Sequence, residues 1–181
     1  MKIFVAGARS VNMINDDVKK RLLSISEKCY DVLIGDCYGI DTAVQDYFIS
    51  LKYSKVTIYA SNGIARNNLG NWPIHSVPVA SGIKGFDFYR QKDIAMAREA
   101  DYGFMIWDGK SKGTLNNIIS LVNQNKTVVI YLVHVGKMIT IHTIEELTTL
   151  ISKCSSSTQK MYKKYVPSTV CVESTQLSLF D

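Results

Sequence analysis

Hydrophobic and polar positions in this chain fall into short, nearly unbroken apolar runs separated by helix-length amphipathic stretches. This is the pattern of a parallel sheet covered by helices. Strands buried on both faces read as continuous apolar runs, and Lys2 to Ala6, Val32 to Ile34, Val56 to Tyr59, Tyr102 to Trp107 and Thr127 to Val133 all read this way. Between them, Val18, Leu22, Leu23 and Ile25 recur on one face of a helix capped by Asp16 or Asp17 and ending near Lys28. Further helices are predicted over Asp41 to Leu51, Asp87 to Glu99 and Thr114 to Gln124. A final strand, Met138 to Ile141, precedes a Thr143-capped helix that runs to Ile151. Ala60 to Gly85, with Pro73 and Pro78 and several glycines, reads as loops carrying one extended piece near Ile74 to Val79. The expected fold is α/β, Rossmann-like and doubly wound, with a mostly parallel sheet and helices on both faces.

From Ser155 onward the periodicity stops. A serine run and a basic patch (Lys160, Lys163, Lys164) lead into a polar segment ending in large apolar residues. The boundary is therefore placed near Cys154, with residues 1–154 as the folded domain and 155–181 as a flexible tail. At 181 residues, with 46% hydrophobic and 20% charged positions, the chain can bury one core of ordinary size. A net charge of +5 is met by any solvated basic face and does not by itself imply nucleic acid. Cys29, Cys37, Cys154 and Cys171 form no CxxC pair, which argues for free thiols in a reducing cytosol over a disulfide or zinc framework. The polar start MKIFVAGARS is not a signal peptide, and no apolar run reaches bilayer length, so the expectation is a cytoplasmic protein without a membrane partner.

Three loops that follow strands carry the candidate chemistry, and in a doubly wound sheet such loops gather at one edge. Gly7-Ala8-Arg9-Ser10 offers close backbone approach, a bidentate cation and a hydroxyl, or is simply a strand-to-helix turn. Gly35-Asp36-Cys37-Tyr38-Gly39-Ile40-Asp41 places two glycines just before a helix, a turn suited to an anion, with Asp41 as a cap or a contact to a ribose hydroxyl. Asp108-Gly109-Lys110-Ser111-Lys112-Gly113-Thr114 opens another helix, so its amides and the Thr114 hydroxyl suit a phosphate, although it lacks Walker A spacing. Asp36, Asp41 and Asp108 are the candidate catalytic carboxylates. His75, His134 and His142 have no metal-ligand spacing, no cofactor motif is present, and Trp72 is either a base-stacking group or a loop anchor.

Taken together, GARS, GDCYGIDTAV and RQKDIAMAREADYGFMIWDGKSKGT resemble the SLOG superfamily, which includes DNA-processing proteins and the LOG phosphoribohydrolases. The likeness is to the small YspA/YpsA-like branch and spans about Met1 to Val133. The resemblance implies a Rossmann-like fold and a nucleotide-derived ligand. It implies ligand contacts from Gly7, Arg9, Ser10, Gly35, Gly39, Asp41, Arg90, Asp108, Gly109, Ser111, Gly113 and Thr114. Two departures matter. Asp36 stands where the branch has glycine, and Asn117 stands where the LOG enzymes have a catalytic glutamate, so phosphoribohydrolase chemistry of that kind is not expected.

At the carboxyl terminus, Gln176, Leu177, Leu179 and Phe180 of QLSLF resemble the bacterial sliding-clamp-binding peptide; self-packing of the tail is the alternative. Three functions follow as expectations: a nucleotide-binding sensor or adaptor, a nucleotide-metabolising hydrolase of N-glycosidic or phosphate bonds, and a DNA-associated accessory protein tethered to the clamp. A homo-oligomer is left open.

Overall fold

A computed structural model describes residues 1–166. Cys171 and the QLSLF segment, with the clamp contact expected of it, lie outside the described residues. The elements run in the order β1 (Lys2–Gly7), α1 (Asp16–Glu27), β2 (Asp31–Ile34), α2 (Ile40–Ser50), β3 (Val56–Ser61), β4 (Ile74–Val77) and α3 (Gly85–Glu99). They continue as β5 (Tyr102–Trp107), α4 (Lys112–Val122), β6 (Val128–Leu132), β7 (Lys137–Ile141), α5 (Ile144–Ser152) and α6 (Ser156–Lys163).

The strands form one seven-stranded sheet in the order β4-β3-β2-β1-β5-β6-β7, parallel throughout except for β7, which pairs antiparallel with β6. The chain winds outward from β1 to β4, then returns to place β5 on the other side of β1, with Ile3 paired to Tyr102 and Gly7 to Ile106. The boundary between β1 and β5 is therefore the point where strand order reverses. Loops at the carboxyl ends of the strands diverge there and leave a crevice.

Alternation along the strands divides the core into two layers. Ile3 and Val5 of β1 face α1 and α2, where they meet Val18, Leu22, Val44 and Phe48. Phe4 and Ala6 face the opposite layer, with Met96 and Ala97 of α3, Leu115 and Ile118 of α4, and Leu147 of α5. Helices thus cover both faces, which is why the central strands carry almost no polar side chain. The cap of α1 is Asn15, whose Oδ1 accepts the Val18 N–H at 3.1 Å; the expected caps Asp16 and Asp17 lie in the first turn, where negative charge favours the helix N-terminus.

The expected tail begins as structure. Ser155 accepts the Thr158 N–H and caps α6, which packs on the domain with Thr158 and Tyr162 buried. The Thr158 hydroxyl donates to the Gly109 carbonyl at 2.6 Å, and Tyr162 shares a 2.8 Å hydrogen bond with Thr148 of α5. Met161, Tyr165 and Val166 pack against the same layer. Packing on the domain thus extends past Cys154 to Val166.

Trp72 is an anchor: it is buried in the α1/α2 layer and its Nε1–H donates to the Tyr53 carbonyl at 3.0 Å. No helix among the described residues is long and apolar enough to cross a membrane.

Candidate functional site at the carboxyl edge

The loops after β1, β2 and β5 and the amino-terminal ends of α3 and α4 enclose a cleft of about 620 Å³, within the ordinary range for small-molecule sites. Ten of the twelve ligand residues expected from the sequence line it: Gly7, Arg9, Ser10, Gly35, Asp41, Arg90, Asp108, Ser111, Gly113 and Thr114. Gly39 and Gly109 do not.

The two exceptions have structural reasons. Gly39 has φ +84°, and a Cβ there would lie 2.5 Å from the Arg9 carbonyl oxygen, so this glycine lets the first two loops pack back to back. Gly109, at φ +79°, faces His134, and its carbonyl is taken by Thr158. Gly7 is different, lining the cleft while also closing the sheet: a Cβ would meet the Ile106 carbonyl at 2.5 Å and Ile40 Cγ2 at 2.6 Å. Gly7→Ala is therefore expected to lose about 1–3 kcal/mol of stability through overpacking. A urea midpoint unchanged from wild type would contradict this.

Asp108 ties the loops together. Its Oδ1 accepts the Lys110 and Ser111 amides at 2.9 and 2.7 Å, and its Oδ2 accepts the Ser10 hydroxyl at 2.9 Å. Burial acts to raise its pKa, but these donors outweigh burial and hold it below the usual carboxylate range. The turn delivers α4 with its first residues facing the cleft. Thr114 is buried and its hydroxyl donates to Ser111 Oγ at 3.1 Å, and a Cβ on Gly113 would meet nothing within 4 Å, so the backbone there is open to a ligand.

Asp36, expected as a catalytic candidate, is sealed away and does not line the cleft. It is 2% exposed and accepts the Arg66 backbone N–H and Nε–H at 3.0 Å each and Nη2 at 2.7 Å. Burial acts to raise Asp36, but Arg66 and the nearby Lys92 charge outweigh it and keep the carboxylate ionised. Arg66 in turn stacks over the Tyr89 ring at 4.1 Å. The carboxylate thus holds the loop between β3 and β4 against the wall of the cleft.

Lys92 and Asp93 line the cleft although no sequence motif singles them out, and Asn117, met in the sequence only as a departure from an expected glutamate, lines it too. Lys92 is 2% exposed, with Nζ 2.8 Å from Asp93 Oδ1 and 3.7 Å from Asp36 Oδ1. Burial acts to lower its pKa, but the charges of Asp93 and Asp41 outweigh burial and keep the ammonium protonated. A Cβ on Gly35 would lie 2.6 Å from both Asp41 Oδ2 and Lys92 Nζ, so this glycine makes room for the pair. Asp41 Oδ2 reaches back to accept the Cys37 N–H at 3.1 Å, and burial pushes the carboxyl up to about 6. Burial, reinforced by Asp41, likewise raises the Cys37 thiol above its ordinary value, which makes it a poor nucleophile. The available signal for Lys92 was its place on α3, one turn before buried Met96: a charged residue on an apolar stripe. Among the described residues, no group of three or more His, Cys, Asp or Glu side chains is placed to hold a metal ion.

No family model matches this sequence, and no match was found among curated proteins. Among solved structures, DNA processing protein A from Helicobacter pylori, described for its single-stranded DNA binding mode, is similar with a TM-score of 0.57 and 10% identity. The likeness covers 91% of this chain and 80% of that one. At that identity it speaks to architecture, and with the strand order above it establishes a Rossmann-like α/β fold.

Proposed function

We propose that this protein binds a nucleotide or nucleotide-derived phosphate ligand in the cleft, as a sensor or adaptor. One observation carries the reading: Arg9, Arg90 and Lys110 converge with the open Gly113 backbone and the Thr114 end of α4 on one crevice at the strand-order reversal. Helix amides and guanidinium groups together form an anion site, since the dipole and the charge act in the same direction. The SLOG-like motifs support the same ligand class.

A strand of nucleic acid carries the same phosphates, and two observations favour it as a second reading. One is the shared fold with a protein described as binding single-stranded DNA. The other is the aromatic character of the cleft wall, where Phe86 lies 4.2 Å from Lys112 Nζ and Tyr89 lies beneath Arg66.

Calorimetric titration with nucleoside mono- and diphosphates and with a short single-stranded oligonucleotide separates the two. On the nucleotide reading the small ligands saturate one site, and Arg9→Ala weakens them by about 1.5–3 kcal/mol, the scale of a charge-assisted hydrogen bond. Equal affinity of wild type and Arg9→Ala would remove Arg9 from the site. Binding of the oligonucleotide alone would favour the second reading.

A further inference from the structure

The opposite edge of the sheet holds a second cavity, of about 360 Å³, that the proposed function does not use. It lies where β5 and β6 begin, between Tyr102, Thr127 and Val129 on one side and Arg21, Ser24 and Lys28 at the end of α1 on the other. Its walls are partly apolar, since Ile25 and Val129 are buried there. Arg21 is the unexplained group. Its guanidinium lies over the Tyr102 ring, with Cζ 5.8 Å from the centroid, and its Nε is closed to solvent without a hydrogen-bond partner. Neither Arg21 nor Lys28 joins an ion pair with a carboxylate among the described residues. A partly buried cation with an unpaired donor is costly, and an anion seated in the cavity would offset that cost.

The groups that would repel such an anion are already engaged. Asp101 Oδ2 accepts the Lys2 N–H at 2.7 Å, and the Ser24 and Ile25 carbonyls at the end of α1 accept the Lys28 and Tyr30 amides. The lining side chains carry two cations, Arg21 and Lys28, against the one carboxylate of Asp101. That balance suits a monoanion better than a phosphate dianion.

We infer that this amino-edge cavity binds a small organic carboxylate, with Arg21 gripping the carboxylate, Lys28 adding charge, and Ile25, Val129 and Tyr102 holding an apolar body. A planar guanidinium meets a planar carboxylate through two parallel hydrogen bonds, a match that lysine does not give. The volume lies at the small end of the range for ligand sites, so the body is compact. The site is separate from the carboxyl-edge cleft and does not depend on the nucleotide reading.

The test is a titration of the full chain followed through its amide NMR shifts, with sodium benzoate as the probe and benzamide and inorganic phosphate beside it. Benzoate is expected to saturate one site and to move the amides of Ser24, Asp101 and Tyr102. Benzamide keeps the ring and lacks the charge, so it should bind about tenfold or more weakly, the scale of a charge-assisted hydrogen bond. Arg21→Gln should weaken benzoate by about tenfold or more, and Arg21→Lys should restore only part of that loss. Lys28→Gln should give a smaller loss and keeps the test decisive if the Arg21 variants fold poorly. Benzoate affinity unchanged in either glutamine variant, or shifts centred on Gly113 and Thr114, would overturn the inference. So would phosphate bound more tightly than benzoate, benzamide bound as well as benzoate, or no saturation by benzoate at all.

Discussion

Asp36→Ala is expected to remove about 3–5 kcal/mol of folding stability, because it breaks a buried ion pair from one side. The carboxylate is 2% exposed and receives three hydrogen bonds from Arg66. Its loss leaves an uncompensated guanidinium and removes one of the partners of buried Lys92. Arg66→Ala should cost less, since the Arg66 side chain is 27% exposed and Lys92 still offsets the carboxylate. The consequence reaches the cleft, because Arg66 also stacks on Tyr89 and fixes the loop between β3 and β4. Guanidinium unfolding of both variants checks the order, with a two-state fit appropriate to one domain of this size. An Asp36→Ala midpoint within about 1 kcal/mol of wild type would mean that the pair is an ornament of the surface.

The central strands were legible because a parallel sheet buried on both faces must be apolar at consecutive positions, as in Ile3 to Ala6 and Phe104 to Trp107. The edge strand β4 was weaker because Ile74, His75 and Ser76 are exposed and only Val77 packs. Helix α6 was missed because its sequence, SSTQKMYK, turns only Thr158 and Tyr162 fully inward, four positions apart. The Ser155 cap was the available signal. The same division holds at the site. Arg9 and Gly35 stand in short loops at strand ends and Gly113 and Thr114 in the first turn of α4, where glycine and hydroxyl residues advertise a backbone open to anions. Lys92 and Asp93 stand inside α3, and Arg66 in an irregular loop. Their roles arise from tertiary neighbours that no local pattern encodes. For that reason Asp36 resembled a catalytic acid in the sequence and proves to be the counter-ion of Arg66 in the fold.

Asp41→Asn is expected to stabilise the protein at about pH 7.5 by up to about 3 kcal/mol while changing little near pH 4, from a shift of about two pH units. Burial is the largest cause of the raised Asp41 pKa, followed by the opposing effects of Lys92 and the Cys37 amide and by the repulsion of Asp93 and Asp36. Charge counting points the same way. Arg66 and Lys92 supply two positive charges and Asp36 and Asp93 already supply two negative ones, so the cluster balances when Asp41 holds its proton. The folded value of about 6 lies above the ordinary 3.8, so between these values the folded state binds the extra proton. The Asp41 contribution is therefore complete below about pH 4 and is lost as pH rises through 6. Asp36, Glu99 and Asp108 have lowered values and act with the opposite sign at lower pH, but they are common to both proteins and drop out of the difference. Asparagine mimics the protonated side chain and keeps the acceptor for Cys37 N–H, so the variant should lack this slope. Urea midpoints of the two proteins across the range decide it. A difference that stays constant with pH, or an Asp41→Asn variant less stable at neutral pH, would refute the assignment.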